Sequence, residues 1–185
     1  MASIGAHQVL KSLSKLFNGG RYTVSVDRLY ENVMEQALSP ALYETGMTTD
    51  TFDGRFEAVT IFSSLVMRRL REFGSPGEHL ADRLYRAIFA GFDHALRERG
   101  TGDSSIARKI RGYGERFFGL ARAIDSAISA ENSAAALDEV LIRNDIGGDA
   151  SPQLVSLLIN CEAVLCASEL ESFESGAIDW PTIEG

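Results

Sequence analysis

The 185-residue chain is long enough to bury one sizeable hydrophobic core without disulfide or metal cross-links. Its 45% hydrophobic and 24% charged residues are ordinary for a globular protein, and no uncharged apolar run reaches the roughly 18 residues that a membrane-spanning helix needs. The net charge of −8 disfavours attraction of the whole molecule to nucleic acid or anionic lipid. We therefore expect one domain that neither spans a membrane nor binds DNA.

The chain begins with an amphipathic segment, residues 1–22, which precedes the predicted domain. Lys11 and Lys15 lie opposite its apolar side, and Gly19-Gly20 interrupts it. The apolar residues at helical spacing are Ile4, Leu10, Leu13, Leu16 and Phe17. Two interpretations stay open: a frayed or docked terminal helix, or an interfacial helix that touches a membrane surface.

The first helix of the predicted domain covers residues 25–38 and ends before Pro40, because the residue before proline avoids the α region. A second, central helix covers residues 51–73, with Asp50 and Thr51 as N-cap residues and Gly74 after its end. Residues 58–67 carry no charge at all. A helix without a polar side is buried, so the other helices should surround this one.

Four more helices follow. Ser75-Pro76-Gly77-Glu78 resembles a capping box and begins the third helix, in which Gly91 indicates a close approach to the central helix. The fourth begins at Asp103 or Ser104 and the fifth at Asn132 or Ser133. The last is entered at Ser151-Pro152 and contains Cys161 and Cys166, both expected to be reduced and buried in a cytoplasmic protein.

These elements predict an all-α fold, a single domain of six or seven helices packed around a central buried helix. The helical domain should cover residues 23–168. The remaining residues, 169–185, are acidic and interrupted by Gly176 and Pro181, and Trp180 stands isolated among them. We expect this stretch to be an acidic, partly disordered tail.

Polar groups at the start of two helices admit more than one interpretation. Asp53 and Glu57 lie one turn apart, as an acid–base pair would, or they stabilise the first helical turn while Arg55 pairs with a neighbour. Asp93 either pairs with Arg97 one turn later or reaches a base on the central or fourth helix. The three histidines have no ligand spacing, so we expect neither a metal nor a cofactor.

The fourth helix concentrates the positive charge of the chain. Residues 97–122 carry seven bases against three acids, whereas residues 131–185 carry one base against 11 acids. Its basic side consists of Arg108, Lys109, Arg111 and Arg116. This side is either a solvated face or a docking strip for acidic loops of a partner. A third interpretation is a helical module that binds RNA or the ribosome through phosphate contacts, with a steep salt dependence.

Two separated motifs resemble the ubiquinol–cytochrome c chaperone family. The first is DTFDGRFE at residues 50–57; the second is FDxxLRExGxGD at residues 92–103, followed by a basic helix with Lys109 and the pair Phe118-Gly119. The match covers about residues 26–143. The motif residues are Asp50, Asp53, Arg55, Glu57, Asp93, Arg97 and Asp103. The chain departs from the family pattern at Phe62 and Leu120.

The resemblance implies a non-enzymatic chaperone that holds newly made cytochrome b for assembly of the respiratory cytochrome bc complex. It implies a bacterial-type, cytoplasmic member. Whether the protein also binds a small partner protein, the ribosome or the membrane periphery stays open, as does its oligomeric state. An apolar groove for a hydrophobic client segment would be lined by Tyr85, Phe89, Tyr113 or Phe117.

Overall fold

A computed structural model describes residues 21–100 and 102–183, and side chains from residue 26 onward except those of residues 103 and 104. The described part contains helices and no strand, which confirms the predicted all-α single domain. The helices are α1 (Arg21–Ala37), α2 (Pro40–Glu44), α3 (Phe52–Glu72), α4 (Ser75–Glu98), α5 (Asp103–Ile128), α6 (Ser133–Arg143), α7 (Ser151–Ala167) and α8 (Leu170–Ser175), with a 3-10 turn at Gly148–Ala150.

Helix α3 runs through the centre of the molecule, as the uncharged stretch predicts. The Thr51 hydroxyl accepts a hydrogen bond from the Gly54 amide at 3.0 Å and caps its N-terminus. It packs against α1, α4, α5 and α7. The side chains of Val59, Phe62, Val66 and Leu70 are at most 2% exposed. Buried hydroxyls on α3 donate back to carbonyls of the preceding turn, so they bring no unsatisfied polar group into the core.

The C-terminal end of α3 is held by ion pairs. Arg68 contacts Glu162 of α7 directly, and Asp125 of α5 lies 3.2 Å from its Nε atom without hydrogen-bond geometry. Arg69 donates to the Ser168 carbonyl at 3.0 Å. Because Glu162 is only 14% exposed, this contact is partly shielded from solvent and fixes α7 against α3.

Three local expectations need correction. Ser75 does not cap α4: Gly74, with φ +66°, takes the N-cap position without a side-chain cap, because the chain reverses there directly after α3. Gly91 approaches Tyr30 of α1 rather than the central helix, since a Cβ on Gly91 would lie 2.7 Å from the tyrosine oxygen. The N-cap of α5 is Gly102 instead of Asp103 or Ser104.

Residues 170–183 pack against the helical domain, whereas their composition predicted an acidic, partly disordered tail over residues 169–185. Phe173 is fully buried, and Trp180 lies edge-on to Phe62 of α3 with ring centroids 5.8 Å apart. The Trp180 indole donates to the Asn32 side chain at 2.7 Å, and Asn32 donates to the Ile178 carbonyl at 3.2 Å. We call residues 170–183 the C-terminal segment; the composition-based expectation fails because its few apolar side chains find partners on α1 and α3.

Gly176 makes this packing possible. Its φ is +68°, and a Cβ at this position would lie 2.6 Å from the Arg28 carbonyl carbon and 2.6 Å from the Arg28 Cβ. Any other residue would therefore combine backbone strain with a collision against α1. Glycine at this position closes α8 and brings the following residues onto α1.

The cap of α6 is confirmed, one of the two cysteine predictions needs correction, and most of the N-terminal segment lies outside the described residues. Asn132 caps α6 by accepting from the Ala135 amide at 3.2 Å, as predicted. Cys161 is buried and free, but Cys166 is free and exposed, because it lies on the outer side of α7. The predicted amphipathic segment lies outside the described residues except for its last two positions.

One stretch of the described chain, Gly148–Ala167, is long and apolar enough to pass a length-and-composition test for a membrane span. The sequence did not predict a span here, because Glu162 and the polar residues of α7 interrupt the uncharged run. Core helices of globular proteins pass the same test. In this fold Leu154, Leu158 and Leu165 face the core and are at most 2% exposed.

Candidate partner-binding surface

A polar network lies at the N-terminal end of α3 and joins that helix to α5. Arg116 Nη1 donates to Asp53 Oδ1 at 2.6 Å, and its Nη2 donates to Glu57 Oε1 at 3.0 Å. The Tyr113 hydroxyl donates to the same Asp53 oxygen at 3.2 Å. The guanidinium of Arg116 also lies 5.1 Å from the ring centroid of Phe56. We call Asp53, Glu57, Tyr113 and Arg116 the mouth network.

The two carboxylates of the mouth network respond differently to the same arginine. The hydrogen bond from Arg116 holds the pKa of Asp53 below its ordinary value of 3.8. Desolvation by burial raises the pKa of Glu57 above 4.5 in spite of Arg116. The difference follows burial, since the Asp53 side chain is 59% exposed and that of Glu57 only 21%.

The remaining motif residues that can be placed form local ion pairs. Arg55 pairs with Asp50 at 2.7 Å, the arrangement that the structural interpretation of this motif predicts. Arg97 pairs with Asp93 at 2.7 Å within one turn of α4, the first of the two predicted alternatives. The side chain of Asp103 lies outside the described set. These pairs are exposed, so each stabilises the fold only weakly.

The four predicted docking residues do not form one set. Arg108, Lys109 and Arg111 are exposed on α5, but Arg116 is bound to Asp53 and Glu57 and is 46% exposed. Lys109 lies two turns before Arg116 and therefore on its side of the helix. Arg108 and Arg111 instead share an exposed strip with three later residues of α5, namely Glu115, Phe118 and Arg122. We call these five residues the outer strip.

Aromatic side chains fill the space between α4 and α5. Phe117 is 1% exposed and belongs to the core, whereas Tyr85, Phe89 and Tyr113 are half-buried. Phe118, which sequence reasoning did not place in the groove, is 58% exposed and lies 5.2 Å from the Tyr85 ring. Its spacing from Arg111 and Arg122 was the available signal, because it puts Phe118 on the same side of α5 as those arginines.

A cavity of about 550 Å³ lies beside the mouth network. Its wall includes Glu57, Asp145 and Asp149, together with Thr45 and Thr48. The sequence analysis did not predict it, because it forms only where the loop after α6 meets the loop before α3. Among the described residues, no three metal-binding side chains gather closely enough to hold an ion.

Comparison with known proteins assigns the chain. The family model described as ubiquinol-cytochrome C chaperone matches residues 44–180. The chain belongs to the ubiquinol–cytochrome c chaperone family. The chaperone is also similar to the Cbp3 homolog from Brucella abortus, whose crystal structure has 26% sequence identity and a TM-score of 0.78 over 97% of this chain and 98% of that chain. No curated protein sequence matches it.

The range of the match corrects the extent of the resemblance. Sequence motifs suggested about residues 26–143, with both ends outside, but the family model continues to residue 180. It therefore includes α7, α8 and most of the C-terminal segment of the chaperone. Membership of this family implies a non-enzymatic role in assembly of ubiquinol–cytochrome c reductase.

Proposed function

We propose that this chaperone binds newly made cytochrome b and promotes assembly of the ubiquinol–cytochrome c reductase complex. The observation that carries the proposal is the family match over residues 44–180, supported by structural similarity along nearly the whole chain. The client is a membrane protein, so the chaperone would act from the cytoplasm, with peripheral contact at the inner membrane.

We propose that the chaperone holds its partners by surface complementarity and catalyses no reaction. The carboxylates that looked most like an acid–base pair, Asp53 and Glu57, are both hydrogen-bonded to Arg116. These cross-helix ion pairs suit a structural junction between α3 and α5. Turnover of any small substrate that is lost in Asp53→Asn or Glu57→Gln, with the fold intact, would contradict this part of the proposal.

The basic side of α5 is the proposed docking surface. Arg108, Lys109 and Arg111 are exposed on a molecule whose net charge is −8, so they create a local positive region that favours acidic loops of a client or partner. Arg116 contributes through the mouth network, by fixing the rotation of α5 against α3. A small partner protein or the ribosome would use the same region.

The experiment is capture of cytochrome b from membranes of the native host, with complex levels measured in the same cells. Charge reversal at Arg108 and Arg111 should reduce both captured apo-cytochrome b and assembled complex, while the melting temperature stays within about 2 °C because exposed charges contribute little to stability. The matched control reverses Arg71 and Arg143, which are also exposed but lie on α3 and α6.

Three results would contradict these proposals. Failure of the unaltered chaperone to capture cytochrome b would remove the proposed client. Normal capture and normal complex levels after reversal of Arg108 and Arg111 would remove the docking role of the basic side. Equal losses in the Arg71 and Arg143 control would show that overall charge, rather than this surface, is what matters.

A further inference from the structure

The outer strip is continuous, and all five of its residues are exposed. Its five residues follow one another at steps of three, four, three and four, so they line one side of α5 over four turns. Three are arginines, one is a glutamate and one is a phenylalanine. Arginine and aromatic residues are the types enriched where proteins bind one another, and a lone acid does not reverse the positive sign of the strip.

Phe118 is the apolar element of the outer strip. It is one of two large apolar side chains that are strongly exposed in the described part of the chain, the other being Ile142. Its ring lies against Tyr85 at 5.2 Å and meets Phe117 edge-on at 5.7 Å. The aromatic base beneath it restricts the ring, so a partner would lose little side-chain entropy by packing on it.

The backbone next to Phe118 is open to approach. A Cβ on Gly119 would have no other atom within 4 Å, and the same holds for Gly112 two turns earlier. Glycine destabilises the interior of a helix, and neither residue has a positive φ or a close neighbour in the described chain that would require it. Nothing among the described residues accounts for these glycines, whereas a second molecule seated on this side of α5 would.

We propose that the outer strip binds an acidic segment of a partner protein, with an apolar side chain of that segment packed on Phe118. Charge complementarity identifies the partner, because Arg111 and Arg122 lie before and after Phe118 on the strip and attract carboxylates there. The proposal rests on the proposed function, since it states the chemistry of the protein that the chaperone holds on α5.

A protein segment fits this surface better than an anionic membrane does. One exposed aromatic ring buries little apolar area in a bilayer, and surface anchoring requires several such groups or a dense basic cluster. The net charge of −8 also opposes approach of the whole molecule to anionic lipid. One side of a helix that carries arginines and a single exposed aromatic ring instead has the features of a small protein–protein contact.

The test is site-specific photo-crosslinking with the full chain in its native host. A photoreactive phenylalanine analogue replaces Phe118 and, as a matched control, Ile142, which is 66% exposed on α6. The expected result is an adduct at Phe118, absent at Ile142, whose crosslinked peptide carries Asp or Glu on both sides of an apolar residue. Charge reversal of Arg111 and Arg122 should lower its yield at least tenfold without changing the melting temperature.

Several outcomes would overturn the inference: no adduct at Phe118, an adduct with lipid, a crosslinked peptide that is neutral or basic, or the same adducts at Ile142. Its failure is distinguishable from failure of the proposed function. Capture of cytochrome b without an acidic adduct at Phe118 removes only this inference. An acidic adduct from another protein, with no capture of cytochrome b, removes the proposed client and keeps the binding property of the outer strip.

Discussion

At the scale of single residues, Asp53 and Glu57 show that burial decides how a shared arginine changes the pKa of a carboxylate. Both accept from Arg116, yet only Asp53 is stabilised as a carboxylate, because the desolvation of Glu57 outweighs its attraction to the guanidinium. Ionised Asp53 therefore supports the folded state at neutral pH, and ionised Glu57 opposes it.

We predict stability changes of opposite sign for Asp53→Asn and Glu57→Gln at pH 7, of which only the second disappears toward pH 4. The folded-state pKa of Glu57 is raised, so protonation of this side chain stabilises the folded state. That stabilisation is fully present below pH 4.5 and is lost as the pH rises through the folded-state pKa. Glu57→Gln should thus be up to about 1 kcal/mol more stable than the parent at pH 7, with the gap closing toward pH 4.

The folded-state pKa of Asp53 is lowered, so the ionised side chain stabilises the folded state. That stabilisation is fully present above pH 3.8 and is lost only as the pH falls through the folded-state pKa. Asp53→Asn should therefore be less stable at pH 7, by up to about 1 kcal/mol because the side chain is well exposed, and should remain so down to pH 4. Urea unfolding of both variants across this range measures the difference. Parallel curves would show that burial does not separate the two groups.

At the scale of elements, α3 determines whether the chain folds. Val66 is 0% exposed in the middle of its uncharged stretch. Val66→Asp should destabilise the protein by about 4 kcal/mol or more, since an unpaired carboxylate would be buried, and thermal melting followed by circular dichroism should show its unfolding. Ile142→Asp is the matched control on an exposed position and should melt with the parent; equal melting of both variants would mean that α3 is not the core.

The elements also show what the sequence could predict. Charge-free residues 58–67 were enough to place α3 at the centre, because burial of a helix depends on its own side chains. The partner of Arg116 was not predictable, because it depends on how α5 is rotated against α3, which no local pattern records. Phe118 was overlooked because it adjoins the buried Phe117, although its spacing from Arg111 and Arg122 puts it on the outer side of α5.

At the scale of the whole molecule, the C-terminal segment was the main error of sequence reasoning. Its acidic composition is typical of disorder, and the groups that hold it are far away in sequence: Trp180 pairs with Asn32, 148 positions earlier. Composition takes into account only the residues of the segment itself. The C-terminal segment is ordered because Trp180 contacts Phe62 and Asn32, which belong to other helices.

We predict that Gly176→Ala releases the C-terminal segment from α1. The added Cβ would meet Arg28 at 2.6 Å, and the expected loss is roughly 2 kcal/mol, with Trp180 emission shifted to longer wavelength as the indole enters water. Trp180 is the single tryptophan of the chain, so the signal is unambiguous. Gly46→Ala is the control: its φ is also positive but nothing lies within 4 Å, so it should lose only about 1 kcal/mol and leave the emission unchanged.

The pairing of Trp180 with Asn32 also has a kinetic consequence. A contact that closes a loop of nearly 150 residues forms late, because the entropy of closure is lost before the contact contributes. During synthesis, α1 and the Phe62 side of α3 would remain uncovered until residue 180 has left the ribosome, even if the other helices had already packed. In stopped-flow refolding, helix formation should therefore precede the change in tryptophan fluorescence, and simultaneous phases would show that the segment docks together with the core.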